Sequence, residues 1–176
     1  GVFVAALYSE AYFESDINVI IENSLKTIPA ESDYYKIVKD VIRLHNQYPD
    51  NWRSAWQELE NKWGDVDICG AGDPFNIDAK VNAAYVVIGL LYGGGDFTKS
   101  LEITTRCGQD ADCNPSTVGG ILGTVLGYEK IPAYWRKSLQ QAEDIDFKYT
   151  TMSLNDVYET GYKHALQNIE RNGGKV

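Results

Sequence analysis

Cysteine is scarce in this chain and unevenly placed. Its three cysteines, Cys69, Cys107 and Cys113, form an odd count without paired spacing, which argues against a disulfide framework and against a structural zinc site. Reduced thiols in a cytoplasmic protein are the ordinary reading. Basic charge is also short: 16 Lys and Arg stand against 25 Asp and Glu, for a net charge of −9. Such a chain has no general attraction for nucleic acid or anionic lipid, and no basic cluster overrides that balance. Nucleic acid and membrane are therefore not expected as partners, and an anionic substrate would need a bridging cation or a helix N-terminus. Long apolar runs are missing, since Ala83 to Tyr92 covers about half of what a membrane span needs. Strand-like alternation is nearly absent, reaching beyond four residues only in "DIDFKYT", Asp144 to Thr150. There is no initiator methionine. Gly1 runs straight into "VFVAALYSEAYF", already helical in pattern, so the chain reads as a piece of something longer.

What is present is helical periodicity. Val4, Leu7, Tyr8, Ala11 and Tyr12 share one face of a 3.6-residue repeat. Asp16 is placed to cap "INVIIENSLKTI", which Pro29 closes; Tyr35, Val38, Ile42 and His45 then recur at helical spacing before Pro49. Asp50 or Asn51 caps a helix with Trp52, Trp56, Leu59 and Trp63 on one side, and Gly64 stops it. After an irregular stretch from Gly64 to Asp78, "AKVNAAYVVIGLLYGGG" is apolar nearly all round and is expected to be buried. Asp96 caps the next helix, and Ser153 with Asp156 makes a capping-box variant before the last. The two histidines, His45 on the inner side of a helix and His164 near an exposed terminal one, read as structural. The expected fold is all-α, with seven or eight helices.

The chemistry lies in "CGQDADCNPSTVGGILGTVLG", Cys107 to Gly127. Asn114 reads as the N-cap of a helix, with Pro115 at its first position. Gly119, Gly123 and Gly127 follow at four-residue spacing, and each interior glycine costs about 1 kcal/mol relative to alanine. Gly127 serves as a stop, so Gly119 and Gly123 call for a neighbour packed unusually close, and the helix is expected at the centre of the domain. Ahead of it, Asp110 and Asp112 repel one another unless a cation lies between them or one is protonated. Hard cations such as Mg²⁺ or Ca²⁺ suit such oxygen donors. The plainer alternative is that Asp112 favours the helix dipole while Asp110 belongs to an Asx-turn. An EF-hand is excluded, because Pro115 stands where glycine is required and Ile121 where the bidentate glutamate belongs. Zinc through Cys113 lacks a second soft ligand.

The stretch "CGQDADCNPSTVGGILGTVLGYEKIPAYW" closely resembles the last metal-binding motif of the ADP-ribosylglycohydrolases, in which an Asp-x-Asp precedes a small-residue helix and an Ile-Pro-x-x-Trp. The resemblance continues backwards through "VNAAYVVIGLLYGGGDFTKSLEITTRCG" and, more loosely, through "FVAALYSEAYFESDINVIIENSLKTIPAES". It implies an all-α, multi-helical bundle with an incomplete core: residues 1–135 as the C-terminal part of the family domain, and residues 136–176 as a helical extension or the lead into a further domain. It also implies a hydrolase that cleaves a glycosidic bond to ADP-ribose using two Mg²⁺ ions, with Asp110 and Asp112 as metal ligands. Cys113 stands where the family commonly has threonine as a further ligand. A thiol is a poor Mg²⁺ ligand, so water or Asn114 would fill that position, and Asn114 is also a candidate for contact with substrate. Asp73 and Asp78 could approach the metal, and Phe75 could stack on an adenine ring. The family's N-terminal acidic motif, with the activating carboxylate, has no counterpart here and is expected upstream of Gly1, in a missing N-terminal half. ADP-ribose or an ADP-ribosylated substrate is the implied partner. The competing expectation is a non-catalytic ADP-ribose-binding or scaffold member of the same family.

Overall fold

The structure is a computed structural model and describes residues 1–64 and 77–176. Among the described residues it is all-helical, with nine α-helices and one 3₁₀ turn. The chain divides into two compact units, Gly1–Ile131 and Pro132–Val176. The first holds α1 (Val2–Ala11), α2 (Ile17–Leu25), α3 (Asp33–Gln47), α4 (Trp52–Trp63), α5 (Ala79–Gly93), α6 (Phe97–Cys107), α7 (Cys113–Leu126) and the 3₁₀ turn Tyr128–Lys130; the second holds α8 (Ala133–Gln140) and α9 (Leu154–Arg171).

Local chemistry explains most of the helix starts. Asp16 Oδ1 accepts from the backbone N–H groups of Asn18 at 2.8 Å and Val19 at 3.4 Å. Asn51, rather than Asp50, caps α4 by accepting from Ser54 N at 3.2 Å, and Asp96 caps α6 through Lys99 N at 2.7 Å. Each such bond satisfies an N–H that the helix cannot, worth about 1 kcal/mol. The stop of α2 comes earlier than Pro29 implies. Lys26, Thr27 and Ile28 donate to carbonyls three residues back, so the last turn tightens after Leu25; a residue before proline resists the α conformation.

The buried faces differ in register from the simplest spacing. In α1 the buried residues are Phe3, Leu7 and Ala11, whereas Tyr12 is exposed. In α3 they are Ile37, Val38, Val41 and Leu44, with Tyr35, Ile42 and His45 at the flanks. In α4, Ala55, Leu59 and Trp63 point inward and Trp52 and Trp56 are half-buried. Tyrosine, tryptophan and histidine keep a polar edge toward water, so the aliphatic stripe beside them takes the core.

The central helix is α5, not α7. It packs against α2, α3, α4, α6 and α7, and every residue from Val81 to Gly93 is buried. Its glycines let α6 approach: a Cβ on Gly93 would overlap Ser100 Oγ and lie 2.9 Å from Ser100 Cα, and one on Gly89 would overlap Thr104 Oγ1 and lie 3.1 Å from Ser100 O. The close approach expected at Gly119 and Gly123 is therefore found elsewhere. A Cβ at Gly119 meets Leu101 Cδ2 at 3.4 Å, and one at Gly123 meets only Ile131 Cδ1 at 3.4 Å, both ordinary contacts. On α7 the tight glycine is Gly120, over which Tyr8 of α1 lies with its hydroxyl donating to Thr117 O at 3.4 Å.

In the second unit Ser153 Oγ accepts from Asp156 N at 3.3 Å while Asp156 Oδ2 accepts from Ser153 N at 2.7 Å, the reciprocal capping box that opens α9. "DIDFKYT" forms a turn and not a strand. Tyr149 takes a φ of 72°, and Phe147 N–H closes onto Met152 O at 2.8 Å. Among the described residues, no helix is long and apolar enough to cross a membrane.

Candidate metal centre

The last turn of α6 delivers the chain to the Asp-x-Asp loop. Cys107 is buried there, its carbonyl accepting from Trp56 Nε1 at 3.0 Å. Burial, and then the charge of Glu60, push the Cys107 thiol up to about 12, which makes it a packing residue and no nucleophile. Glu60 itself accepts from the hydroxyl of buried Tyr85. Gly108 then turns the chain with φ 95°, and Gln109 follows in the left-handed region at φ 51°.

Asp110 is anchored at both ends of its peptide. Its N–H donates to Asn82 Oδ1 at 3.2 Å, and its carbonyl accepts from Asn114 N–H at 3.2 Å. Its side chain starts the helix: Oδ1 accepts from Cys113 N at 3.1 Å. The helix therefore begins at Cys113, and Asn114 lies within its first turn instead of capping it. Asp112 occupies the N-cap position but makes no side-chain cap bond, so its carboxylate is not consumed in starting the helix. One part of the plainer alternative is thus present, an Asx-type turn at Asp110.

One carboxylate oxygen each from Asp110 and Asp112 and the Cys113 sulfur lie within 4.8 Å of one another, with Asp110 half-exposed and the other two exposed. The Asp110 carboxyl is held below the ordinary aspartate range, chiefly by the Cys113 backbone N–H. The Cys113 thiol is raised, first by its hydrogen bond to Asp110 and then by the charges of Asp110 and Asp112. Without a metal this favours the neutral thiol at neutral pH, and a neutral thiol does not suit a hard cation. The two carboxylates do suit one: they offer hard oxygens from adjacent points of a fixed loop, open to solvent.

The sign of the Asp110 shift predicts the pH response of the metal-free chain. A carboxyl whose pKa is depressed on folding adds stability that is present above its unfolded pKa and lost as pH falls through the folded value. A carbon-13 titration of the side chains is expected to give Asp110 a midpoint below that of an unstructured aspartate. The Cys113 amide resonance should move with it. A midpoint at or above the free value would remove the hydrogen bond from the account.

Several other residues take structural places. Asn114 is buried, with Nδ2 donating to Asn82 Oδ1 at 2.6 Å. Asp78 caps α5, its Oδ1 accepting from Lys80 N at 2.7 Å and Val81 N at 3.1 Å while Oδ2 pairs with Lys80 Nζ at 2.8 Å. His45 packs edge-on against Tyr92, ring centroids 4.7 Å apart, and burial lowers its pKa. His164 is exposed in α9. Phe75, Asp73 and Cys69 lie outside the described residues.

Sequence reasoning passed over Asn82 and Gln109. Asn82 Nδ2 donates to Gln109 Oε1 and to Asp78 O, both at 2.9 Å. A signal for Asn82 was available, since it is the one carboxamide in an otherwise apolar helix, and a buried amide demands partners.

The sequence model of the family described as ADP-ribosylglycohydrolase matches residues 1–164. No curated protein and no solved structure matches the chain. The family match runs past Trp135 into α9, takes in the Asp-x-Asp loop and accords with an all-helical fold, and on that evidence the chain belongs to the ADP-ribosylglycohydrolase family.

Proposed function

We propose that this chain carries one part of the metal centre of a Mg²⁺-dependent hydrolase that cleaves an N- or O-glycosidic bond to ADP-ribose. The observation that supports it is the pair Asp110 and Asp112, their ligand atoms and the Cys113 sulfur within 4.8 Å of each other on a hydrogen-bonded loop, in a chain of this family. A bound Mg²⁺ would supply Lewis acidity toward water and ribose hydroxyls. The two carboxylates would hold the cation, and their negative charge would favour oxocarbenium-like charge at the anomeric carbon. Cys113, neutral and soft, would leave one coordination position to water. In this reading Asn114 acts from inside the helix, behind the ligands, and ADP-ribose or an ADP-ribosylated substrate is the partner.

Two octahedral shells need on the order of twelve oxygen donors, far more than Asp110 and Asp112 provide. The reading therefore assigns the remaining ligands and the activating carboxylate to the family's N-terminal acidic motif, upstream of Gly1. Cys113 in place of a hydroxyl residue favours a second reading, an ADP-ribose-binding or scaffold member without catalysis.

The test compares this chain with a form extended upstream through that motif, each incubated with Mg²⁺ and an ADP-ribosylated peptide. Turnover is expected only from the extended form. Turnover by the chain alone would defeat the shared-site reading. Inactivity of both, with ADP-ribose still bound by the extended form, would transfer the weight to the scaffold.

A further inference from the structure

Asn82 is 8% exposed, in the first turn of the most deeply buried helix of the molecule. Its carboxamide is fully engaged. Oδ1 accepts from the Asp110 backbone N–H at 3.2 Å and from Asn114 Nδ2 at 2.6 Å; Nδ2 donates to Asp78 O and to Gln109 Oε1, both at 2.9 Å. Two accepted and two donated bonds are the whole capacity of an asparagine side chain. The orientation of the amide does not depend on how its neighbours' amides are assigned. One end faces a backbone N–H, which only donates, and the other a backbone carbonyl, which only accepts, so the reverse orientation would set donor against donor and acceptor against acceptor.

These bonds fall where the loop most needs them. Gly108 at φ 95° and Gln109 at φ 51° are two consecutive residues with positive φ, a conformation that the Cβ of Gln109 resists. Asn82 grips the segment on both sides of the Gln109–Asp110 peptide, through the Gln109 side chain and the Asp110 N–H. Through Asn114 it also ties the segment to the first turn of α7. We propose that Asn82 is a positioning residue for the metal centre: it sets the backbone from Gly108 to Asp112 so that the Asp110 and Asp112 carboxylates face a common point. The inference rests on the metal-site reading above.

No other side chain of similar size does this work. Leucine keeps the volume and loses all four bonds. Aspartate keeps the acceptor toward Asp110 but turns a second carboxylate oxygen on the Asp78 carbonyl.

Two measurements test it. In metal-free amide exchange on the full chain, Asn82→Leu is expected to speed the Asp110 amide at least tenfold while Val41 and Leu44 in α3 keep their wild-type rates. An Asp110 amide within twofold of wild type would overturn the proposal. If Asn82→Leu does not fold, the wild-type chain decides, because an Asp110 amide exchanging as fast as in an unstructured peptide overturns it equally. In calorimetry with Mg²⁺ alone, run on the form extended upstream through the acidic motif, Asn82→Leu and Asn82→Asp are both expected to bind at least tenfold more weakly than wild type. The aspartate variant separates geometry from charge, since an added carboxylate acting through charge would tighten binding; affinity equal to or above wild type in either variant would overturn the proposal. Absence of Mg²⁺ binding by the wild type would instead count against the metal-site reading, and the exchange rates alone would then decide whether Asn82 holds the loop.

Discussion

In the form extended upstream through the acidic motif, Asp110→Asn and Asp112→Asn are each expected to weaken Mg²⁺ binding at least tenfold, with little change in stability. Tenfold corresponds to about 1.4 kcal/mol. That is modest for removal of a full charge in contact with a divalent ion, where even solvent-screened attractions reach several kcal/mol. The substitution isolates charge from structure for a reason specific to each residue. Asp110 starts α7 by accepting from Cys113 N, and asparagine accepts such a bond about as well as aspartate. Asp112 makes no cap bond, so asparagine there gives up only the carboxylate's charge beside the helix dipole, a small term at an exposed site. Calorimetry with Mg²⁺ and a urea titration of each variant separate the two quantities. Cys113→Thr provides the converse: a hard hydroxyl in place of a protonated thiol is expected to tighten Mg²⁺ binding. Unchanged affinity in both asparagine variants would reduce the pair to a helix-starting turn.

The second large effect concerns α5 and α6. Gly93→Ala and Gly89→Ala are expected to destabilise the chain, each by about 1–3 kcal/mol from overpacking, a penalty that outweighs the gain of about 1 kcal/mol in helix propensity. At Gly93 the obstacle includes Ser100 Cα at 2.9 Å, and at Gly89 it includes Ser100 O at 3.1 Å. Backbone atoms of a packed helix cannot swing aside as a side-chain end can. Gly123→Ala is the contrast, because its new methyl would meet only the far end of Ile131 at 3.4 Å. That variant is expected to hold or raise the urea midpoint. A Gly93→Ala midpoint that rose in parallel with Gly123→Ala would mean that α6 yields easily, and the account of the α5–α6 contact would fail.

The glycines show where reading the chain stops. A four-residue glycine spacing on α7 drew attention to Gly119 and Gly123, whereas the tight contacts between helices belong to Gly89, Gly93 and Gly120. Spacing records which residues share a helix face. It carries no information on which face a second helix will meet. The same holds for α3, where aromatic and polar-edged residues compete with Ile37, Val41 and Leu44 for the inner side.

The sequence by itself determined most of the helical elements, most of their caps and the Asp-x-Asp motif; the short α8 was not read from it. Those features depend on contacts within a few residues: Asp16 with Asn18 and Val19, Asp96 with Lys99, Ser153 with Asp156. The all-round apolar pattern of α5 likewise foretold its burial without reference to any partner. Only the tertiary structure decided what holds the Asp-x-Asp loop in place. Asp110 meets Asn82 across 28 positions and Asn114 meets it across 32, and no periodicity in the chain encodes a bond of that range. It also turned Asn114 from a helix cap into a buried strut. The helix start was claimed by Asp110, because a side chain three residues before Cys113 N reaches it in an Asx-type turn while Asn114 is drawn inward by Asn82. Local hydrogen bonds are written in neighbouring residues; a site assembled from three segments exists only once α5, α6 and α7 have packed.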